Sequence, residues 1–242
     1  MATAQRVNEH GQAIGPEVAG WTPRPMPERG PLTGRHCVVD VLSAEHADGL
    51  WRTVGRGNPD SAWTYSAFGP FDRTTAGRTS FRSYLDALIA LPDAQARVIL
   101  SAQHAPVGVA CFLRLDAGNG SAEVGHVMYS TALQRTTAGT EAMYLLAGHA
   151  FTLGYRRYEW KCDALNEPSR RTAHRLGFTY EGRFRQAAIY KGRSRDTDWF
   201  SITDDEWADL APAYRAWLDP ANFVAARQRR PLAAFLRDAR PT

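Results

Sequence analysis

The sequence predicts an α/β fold of the α+β type, a single domain in which helices cover both faces of a mixed central sheet. Segments that alternate apolar and polar residues, as half-buried strands do, are interleaved with segments of helical periodicity. The 242 residues are 44% hydrophobic and 22% charged, which suits one core, and no internal repeat is visible. Helices packed on the two faces of one sheet bury both kinds of element most simply.

The first half of the chain predicts two helices and four strands. A strand begins at His36, and Ser43 caps a helix that presents Leu50 and Val54 on one face. A loop rich in glycine, proline and aromatic residues then leads to a helix over residues 75–91. Three strands follow, with the sequences ARVILSA, VGVACFL and AEVGHVMYS.

The second half predicts three helices, two strands and a hairpin. Two of the helices end before a glycine, which suits the left-handed residue after a helix: residues 139–153 before Gly154 and residues 168–176 before Gly177. Between them lies a strand over residues 157–162. FTYEG predicts another strand, and QAAIYKGRSRDTDWFSI a hairpin. The last helix opens on the capping-box sequence TDDE and presents Trp207, Leu210, Tyr214 and Trp217 at helical spacing.

Composition divides the chain into three parts. Residues 1–33 are rich in proline and glycine and predict an irregular leader, which packing of Trp21 would order along the surface. Residues 34–220 form the domain, and residues 221–242 a basic tail. The net charge is +4, and the excess of basic residues lies in the C-terminal half. Such an excess attracts a phosphorylated cofactor or RNA, although a solvated basic face explains it equally well.

Several classes of protein are excluded by simple features. No apolar run is long enough to span a membrane, and the N-terminus lacks the pattern of a secretory signal. Cys37, Cys111 and Cys162 are an odd number without metal-type spacing, so we expect reduced core cysteines and neither a disulfide framework nor a metal site. We therefore expect a cytoplasmic protein without a membrane partner.

The segment over residues 123–142 is the most informative. A strand ends at Tyr129, and small residues lie where the next helix must begin. Small side chains at a helix N-terminus leave backbone N–H groups open to an anion, and Arg135 adds a full charge. The segment predicts a phosphate or diphosphate site, with a tightly packed helix start as the alternative. The GxGxxG and GxxxxGK[ST] fingerprints are absent.

Five motifs in order carry a resemblance to a known family. Residues 134–142, QRTTAGTEA, match the pattern Q-x-x-G-x-G-T-E-A. The other four are AEVG at 122–125, NEPSRR at 166–171, LGF at 176–178 and YEG at 180–182. Together they resemble the GNAT N-acetyltransferase superfamily, specifically its ribosomal-protein acetyltransferase-like branch, over residues 34–202.

The resemblance implies a sheet that is splayed at the cofactor site, with acetyl-CoA as acyl donor and no metal. The cofactor-binding residues that it implies are Val127, Met128 and Tyr129 along the strand, Gln134, Arg135, Thr136, Thr137, Ala138, Gly139 and Thr140 around the diphosphate, and Asn166, Ser169 and Arg171 at the next helix. Thr137 departs from the pattern because it replaces the first glycine of the loop. Its Cβ restricts close backbone approach, while its hydroxyl could donate to a phosphate oxygen.

The resemblance also implies catalytic residues, each with a structural alternative. Ser169 would give a proton to the leaving thiolate, or simply satisfy its own helix start. The general base is left open between Glu181, which could instead pair with nearby arginines, and Glu123, which could be a structural strand residue. His126 and His149 are less favoured, because a lone histidine on a strand or helix is usually a packed residue.

These residues predict an N-acetyltransferase that moves an acetyl group from acetyl-CoA to a primary amine in a ternary complex. The acceptor is a small molecule or a protein N-terminus, contacted by residues 50–75 and 185–197. One alternative keeps the fold but takes aminoacyl-tRNA or another large acyl carrier as donor, and only then is nucleic acid a partner. Another alternative is a non-catalytic acyl-CoA-binding module. A homodimer is left open.

Overall fold

An eight-stranded mixed sheet forms the centre of the computed structural model, which describes residues 6–225 and 227–239. In chain order its strands are β1 (Leu32–Thr33), β2 (Cys37–Val41), β3 (Gln95–Ser101), β4 (Pro106–Asp116), β5 (Ser121–Tyr129), β6 (Arg157–Asp163), β7 (Thr179–Tyr190) and β8 (Arg193–Thr203). Their spatial order is β1-β2-β3-β4-β5-β6-β8-β7. Neighbours are antiparallel except β5 and β6, which run parallel.

Helices cover both faces of this sheet, as the sequence predicts. They are α1 (Ala47–Leu50), α2 (Thr75–Ile89), α3 (Thr137–Thr152), α4 (Glu167–Arg175), α5 (Asp204–Leu218) and α6 (Leu232–Ala239). Short 3-10 turns cover Ala44–His46, Asp60–Trp63 and Pro220–Asn222, and a π-turn covers Trp51–Gly55. β9 (Phe223–Val224) and β10 (Arg227–Gln228) form a separate two-stranded hairpin.

Two apolar clusters lie on the two faces. One packs α3, α4 and α5 on the sheet, with Phe112, Leu146 and Phe200 fully buried, and the other packs α1 and α2, with Trp63 and Phe81 at its centre. The apolar residues whose helical spacing predicted these helices are the residues that the helices bury against the sheet. The mixed sheet with helices on both sides is therefore confirmed.

Three elements differ from the sequence prediction. α3 begins two residues earlier than expected, at Thr137. FTYEG and QAAIY belong to one strand, β7, because irregular positions at Gly182 and Gln186 keep it paired to β8. The predicted helix after Ser43 is three short pieces that end in the π-turn at Gly55, where a Cβ would lie 2.4 Å from the Trp51 ring.

The leader is held against the domain by specific hydrogen bonds. Trp21 donates from Nε1 to the carbonyl oxygen of Gly118 at 2.7 Å, so it packs as expected. The guanidinium of Arg97, buried on β3, donates to the carbonyl oxygens of Gly30 at 2.6 Å and Glu28 at 2.5 Å. Buried donors and acceptors that satisfy one another in this way order the irregular segment without secondary structure.

The predicted boundaries at residues 33 and 220 stay predictions. The first five residues of the leader, and residues 226 and 240–242 of the tail, lie outside the described residues. Among those described, none of the helices combines the length and the apolar character that crossing a membrane requires.

Candidate functional site

The parallel strands β5 and β6 separate part-way along their length. Their pairing ends where Val124 lies opposite Trp160. β5 then continues for five residues and β6 for three, without a ladder between them. A gap therefore opens between residues 125–129 on one side and residues 161–163 on the other.

A β-bulge at His126 lies where this gap begins. The register of β5 on β4 passes from Gly125 opposite Cys111 to Met128 opposite Val109, so that β5 holds one more residue than β4 over this interval. His126 itself has a φ of 48°, in the left-handed region. A bulge bends the strand that carries it. The bend is thus located where β5 leaves β6.

A cavity of about 1270 Å³ fills the gap and extends to both sides of it. Its walls include most of β5 beyond Val124, the start of α3, the last residues of β6 and the first turns of α4. The volume exceeds the usual range for drug-sized ligands. The cavity therefore suits a long ligand with several chemically different parts.

At one end of the cavity, the start of α3 forms a corner with open amide groups. Thr136 caps the helix by accepting a hydrogen bond at Oγ1 from the Gly139 amide at 3.1 Å. Within the described chain, the amides of Thr137 and Ala138 donate to no protein acceptor. Free N–H groups and the helix dipole make such a corner attractive to an anion.

Arginines add full positive charge to this corner. The exposed side chain of Arg135 lines the cavity and has no partner in the described part of the molecule. Arg175 on α4 also lines the cavity and donates to Thr140 Oγ1 at 3.1 Å. Arg171 does not line it, being exposed and paired with Glu167 at 3.3 Å. The second arginine at the corner is therefore Arg175, which lies one helical turn after the predicted Arg171.

Asn166 and Ser169 lie together at the start of α4, on the cavity wall. The Asn166 side chain accepts a hydrogen bond from the Ser169 amide at 3.2 Å and so caps the helix. The Ser169 hydroxyl accepts from Trp160 Nε1 at 3.0 Å. The Ser169 hydroxyl also hydrogen-bonds the Cys162 side chain, which offsets part of the burial-driven rise in the pKa of that thiol. Because a hydroxyl both accepts and donates, a thiolate in the cavity would compete with Cys162 for the Ser169 proton.

Glu123 lies on the cavity wall between two cations. Its side chain is 4% exposed and accepts from Arg114 Nε at 2.7 Å and from Lys161 Nζ at 2.9 Å. Lys161 is 7% exposed, contacts Glu159 at 2.8 Å and lies 3.4 Å from the centre of the Trp199 ring. Both cations contact the Glu123 carboxylate directly, so it is engaged in ion pairs and does not stand free towards an amine in the cavity.

Glu181 does not reach the cavity. Both of its carboxylate oxygens accept from the Arg157 guanidinium, at 2.7 and 2.5 Å, and Ser201 donates to it at 2.8 Å. The hydrogen bond from Arg157 lowers the pKa of Glu181 below its ordinary value. A general base at neutral pH would need a raised pKa, so the lowered pKa of Glu181 is the opposite of what a catalytic role requires. The ion pair of Glu181 is with Arg157 on β6, and not with an arginine of β7, the strand that carries Glu181.

His126, at the bulge, is an exposed titratable side chain on the cavity wall. It lines the wall, its ring centre lies 6.0 Å from that of Phe68, and it has no hydrogen-bond partner among the described residues. Desolvation in this concave site, with a smaller contribution from Arg114, lowers the pKa of His126 below 6.5. The imidazole is therefore neutral at pH 7 and can accept a proton.

The other end of the cavity is closed by the two segments that were expected to contact an acceptor. Tyr65 and Ser66 line it from one side, and Ala188 and Arg195 of the β7–β8 hairpin line it from the other. At the hairpin tip, Lys191 Nζ donates to the carbonyl oxygen of Trp63 at 2.8 Å and so joins the two segments.

The structure brings most of the predicted site residues to one cavity. Those that line it are Glu123, Val127, Met128, Tyr129, Gln134, Arg135, Thr136, Thr137, Gly139, Thr140, Asn166 and Ser169. Ala138, Arg171 and Glu181 do not line it. Three or more metal-ligating side chains do not converge anywhere in the described chain.

Comparisons with known proteins agree with this geometry. Residues 38–179, more than half of the chain, match the family model described as an acetyltransferase (GNAT) domain. A solved structure of a GCN5-related N-acetyltransferase from Brucella melitensis is 38% identical, with a TM-score of 0.85, over 90% of this chain and 99% of that one.

Two further relatives set the limits of the comparison. The uncharacterized N-acetyltransferase p20 of Bacillus licheniformis is 31% identical over 112 residues, 46% of this chain and 62% of that protein. The structure of RimL, a ribosomal L7/L12 alpha-N-protein acetyltransferase, has a TM-score of 0.62 over 76% of this chain and 99% of that one. At 21% identity the RimL likeness shows the fold alone.

We predict that Gly139 is required for the geometry of the corner, whereas Gly148 in the same helix is replaceable. A Cβ on Gly139 would lie 2.8 Å from the Leu133 carbonyl oxygen and 2.9 Å from the Tyr129 ring. We expect Gly139→Ala to lower the free energy of unfolding by about 1–3 kcal/mol, as overpacking does.

The matched control is Gly148→Ala. The new Cβ would lie 3.7 Å from Trp207, an ordinary contact distance. We therefore expect the free energy of unfolding to stay the same or to rise by up to about 1 kcal/mol, because alanine favours a helix more than glycine does. Urea unfolding of the two variants measures the difference. Equal stabilities would show that the corner tolerates a side chain.

Proposed function

Because this chain belongs to the GNAT acetyltransferase family, we propose that it moves an acetyl group from acetyl-CoA to a primary amine by direct attack in a ternary complex. The observation that carries the proposal is the gap between β5 and β6, which ends at the open amides of α3. A thioester arm with a diphosphate behind it has the length and the charge that this arrangement accepts.

In this proposal the cavity binds acetyl-CoA in two sections. The edge of β5 over residues 125–128, which β6 does not pair, hydrogen-bonds the pantetheine amides, as a neighbouring strand would. The amides of Thr137 and Ala138, together with Arg135 and Arg175, hold the diphosphate. The Thr137 hydroxyl, which has no partner among the described residues, donates to a phosphate oxygen and makes up for the missing glycine.

The chemistry needs a neutral amine, a polarised carbonyl and a proton for the leaving sulfur. The amine nitrogen bonds to the thioester carbon, the C–S bond breaks, and the ammonium proton passes to a base. A backbone N–H near Met128 polarises the carbonyl, as an oxyanion donor does. Ser169 gives its proton to the thiolate and regains one from solvent.

We propose His126 as the general base in place of Glu181 and Glu123. It is neutral at pH 7, it has no competing hydrogen-bond or ion-pair partner among the described residues, and its ring lies 6.0 Å from that of Phe68 on the acceptor side of the gap. Both carboxylates are bound by cations, and Glu181 lies outside the cavity. A base must first be within reach of the proton that it takes.

The cysteines support direct transfer and a reducing compartment. Cys162 lines the cavity, but desolvation raises the pKa of its thiol to about 11. A thiol that is protonated at pH 7 is a poor nucleophile, which argues against a covalent acetyl-enzyme. Cys37, Cys111 and Cys162 are all free and buried, as is usual in the cytoplasm, where we place the protein.

The basic surplus that favoured a tRNA-linked donor is partly neutralised within the molecule. Five of the eleven basic residues over residues 156–195 form ion pairs with carboxylates: Arg157, Lys161, Arg170, Arg171 and Arg183. Cations that are held in ion pairs are less available to the phosphates of a nucleic acid. We therefore favour CoA over tRNA as the carrier.

Calorimetry with acetyl-CoA, followed by thiol release with a panel of primary amines and peptides with free N-termini, tests the proposal. We expect binding in the micromolar range, amine-dependent release of CoA and acetylated product by mass spectrometry. Absence of binding at about 1 mM acetyl-CoA, the upper end of usual KM values, would reject it. Binding without turnover on every amine would instead indicate a binding module.

We predict that His126→Gln lowers kcat by about a hundredfold, the usual contribution of a general base. In the wild type, activity falls as pH drops through the pKa of His126, below 6.5, because the protonated imidazole cannot accept a proton. The variant loses this acidic limb. Both proteins are measured with the same amine, so that titration of the amine contributes equally.

His149→Gln is the matched control for His126, since His149 lies outside the cavity and desolvation also lowers its pKa. We expect its kcat and pH profile to match the wild type. If His126→Gln kept the wild-type rate and acidic limb, the base would have to be another group.

We predict that Ser169→Ala lowers kcat about tenfold to a hundredfold and leaves the Kd for acetyl-CoA nearly unchanged. Trp160→Phe is the control, because it removes the hydrogen bond to Ser169 but keeps the hydroxyl. Stopped-flow and calorimetry separate rate from affinity. Equal loss of kcat in both variants would assign Ser169 a packing role.

A further inference from the structure

The C-terminal arm, residues 220–239 without residue 226, folds back onto the domain instead of trailing from it. The arm contains β9, β10 and α6. It lies outside residues 38–179, the segment that the family model matches. The match to the family model therefore says nothing about the contacts of the arm.

Asn222 holds the arm in its folded form. Its side chain is 6% exposed, donates to the carbonyl oxygens of Trp217 at 2.9 Å and Arg230 at 3.1 Å, and accepts from the Arg230 amide at 3.0 Å. These bonds close the loop that contains the β9–β10 hairpin. A buried amide with three satisfied hydrogen bonds fixes one conformation of such a loop.

Apolar contacts then dock the arm near the start of α3. Leu232 is 3% exposed and belongs to the cluster that contains Met143 of α3. The Phe223 ring lies 5.8 Å from that of His36, whose amide donates to Glu141 of α3 at 2.6 Å. The arm is thus placed beside the anion-binding corner.

The arm also forms part of the cavity wall. Gln228 of β10, Pro231 and the first two residues of α6, Leu232 and Ala233, line the same cavity as Thr137 and Arg175. In acyl-CoA the diphosphate lies between the pantetheine and the adenosine 3′-phosphate. If the pantetheine lies in the strand gap and the diphosphate at the corner, the nucleotide lies on the far side of the corner, where the arm is.

We infer that the C-terminal arm binds the adenosine 3′-phosphate end of acyl-CoA, with Gln228 in contact with it, so that ligand binding and docking of the arm stabilise each other. This inference rests on the proposed function. Arg227 and Arg229 are exposed and without ion-pair partners in the described chain, and they add positive potential around the nucleotide.

Limited proteolysis of the full chain with trypsin tests the coupling. Trypsin cleaves after Arg227 and Arg229 when the arm opens, and cleavage after Arg6 in the leader serves as an internal reference. CoA at about a hundred times its Kd should slow cleavage of the arm by about tenfold or more, because a ligand that binds the docked form lowers the open fraction. Pantetheine, which lacks the nucleotide, should leave it unchanged.

The outcomes separate this inference from the proposed function. If calorimetry shows that CoA binds while arm cleavage is as fast as without ligand, the inference is wrong and the function stands. Equal protection by pantetheine also overturns it, since the nucleotide would then be unnecessary. If CoA does not bind at all, the proposed function itself fails.

Two substitutions test the contact itself. Gln228→Glu places a negative charge on the cavity wall and should weaken CoA about tenfold. Arg227→Gln makes the same change in net charge on the neighbouring residue, which does not line the cavity. It should raise the Kd for CoA by less than half of the factor expected for Gln228→Glu. Equal effects of the two variants, measured by calorimetry, would reduce the arm to a general electrostatic role and overturn the contact.

Discussion

The incomplete pairing of β5 with β6 is the constraint on which the site depends. Parallel strands in the middle of a sheet normally satisfy each other's backbone groups along their whole length, and unpaired groups are costly unless something else binds them. Here the ladder ends at Val124, where the bulge at His126 bends β5. The sheet remains intact because β4 continues to pair with β5 on its other edge, and β8 with β6.

The family motif in α3 serves packing as much as binding. Glu141 is 2% exposed, and its carboxylate accepts hydrogen bonds from the amides of Arg35, His36 and Cys37 at 2.8, 2.6 and 3.0 Å. It fixes the start of β2 against the first turn of α3. Tyr129 donates to the Gly139 carbonyl oxygen at 2.7 Å and ties the end of β5 to the same turn. These hydrogen bonds hold the corner in place, because they join both β2 and β5 to α3.

Elements with strong periodicity and clear end signals were predictable from sequence. α5 begins at Asp204 behind the expected capping box at Thr203, and α3 and α4 end two residues before the expected glycines. The arm was not predictable beyond its charge, since the position of α6 depends on Leu232, which packs in a cluster that contains Met143 of α3, distant in sequence.

Side-chain roles were less predictable than elements, because they depend on direction. Arg171 and Arg175 lie on one face of α4, and only the length of the helix decides which of them reaches the corner. The Arg157 partner of Glu181 comes from another strand, which a single sequence does not reveal. His126 looks like a packed strand residue in the sequence, but at the bulge it is exposed on the cavity wall. Its position between Gly125 and Val127 was the available signal, since glycine in a strand often marks a bulge.

Amide hydrogen exchange of the full chain, with and without saturating acetyl-CoA, tests the central claim most directly. If the thioester arm enters between the separated strands, the added protection falls on peptides that cover residues 125–140, at the free edge of β5 and the first turn of α3. Unchanged exchange over those residues, at a concentration where calorimetry shows full occupancy, would mean that the ligand binds elsewhere and that the strand gap is not its site.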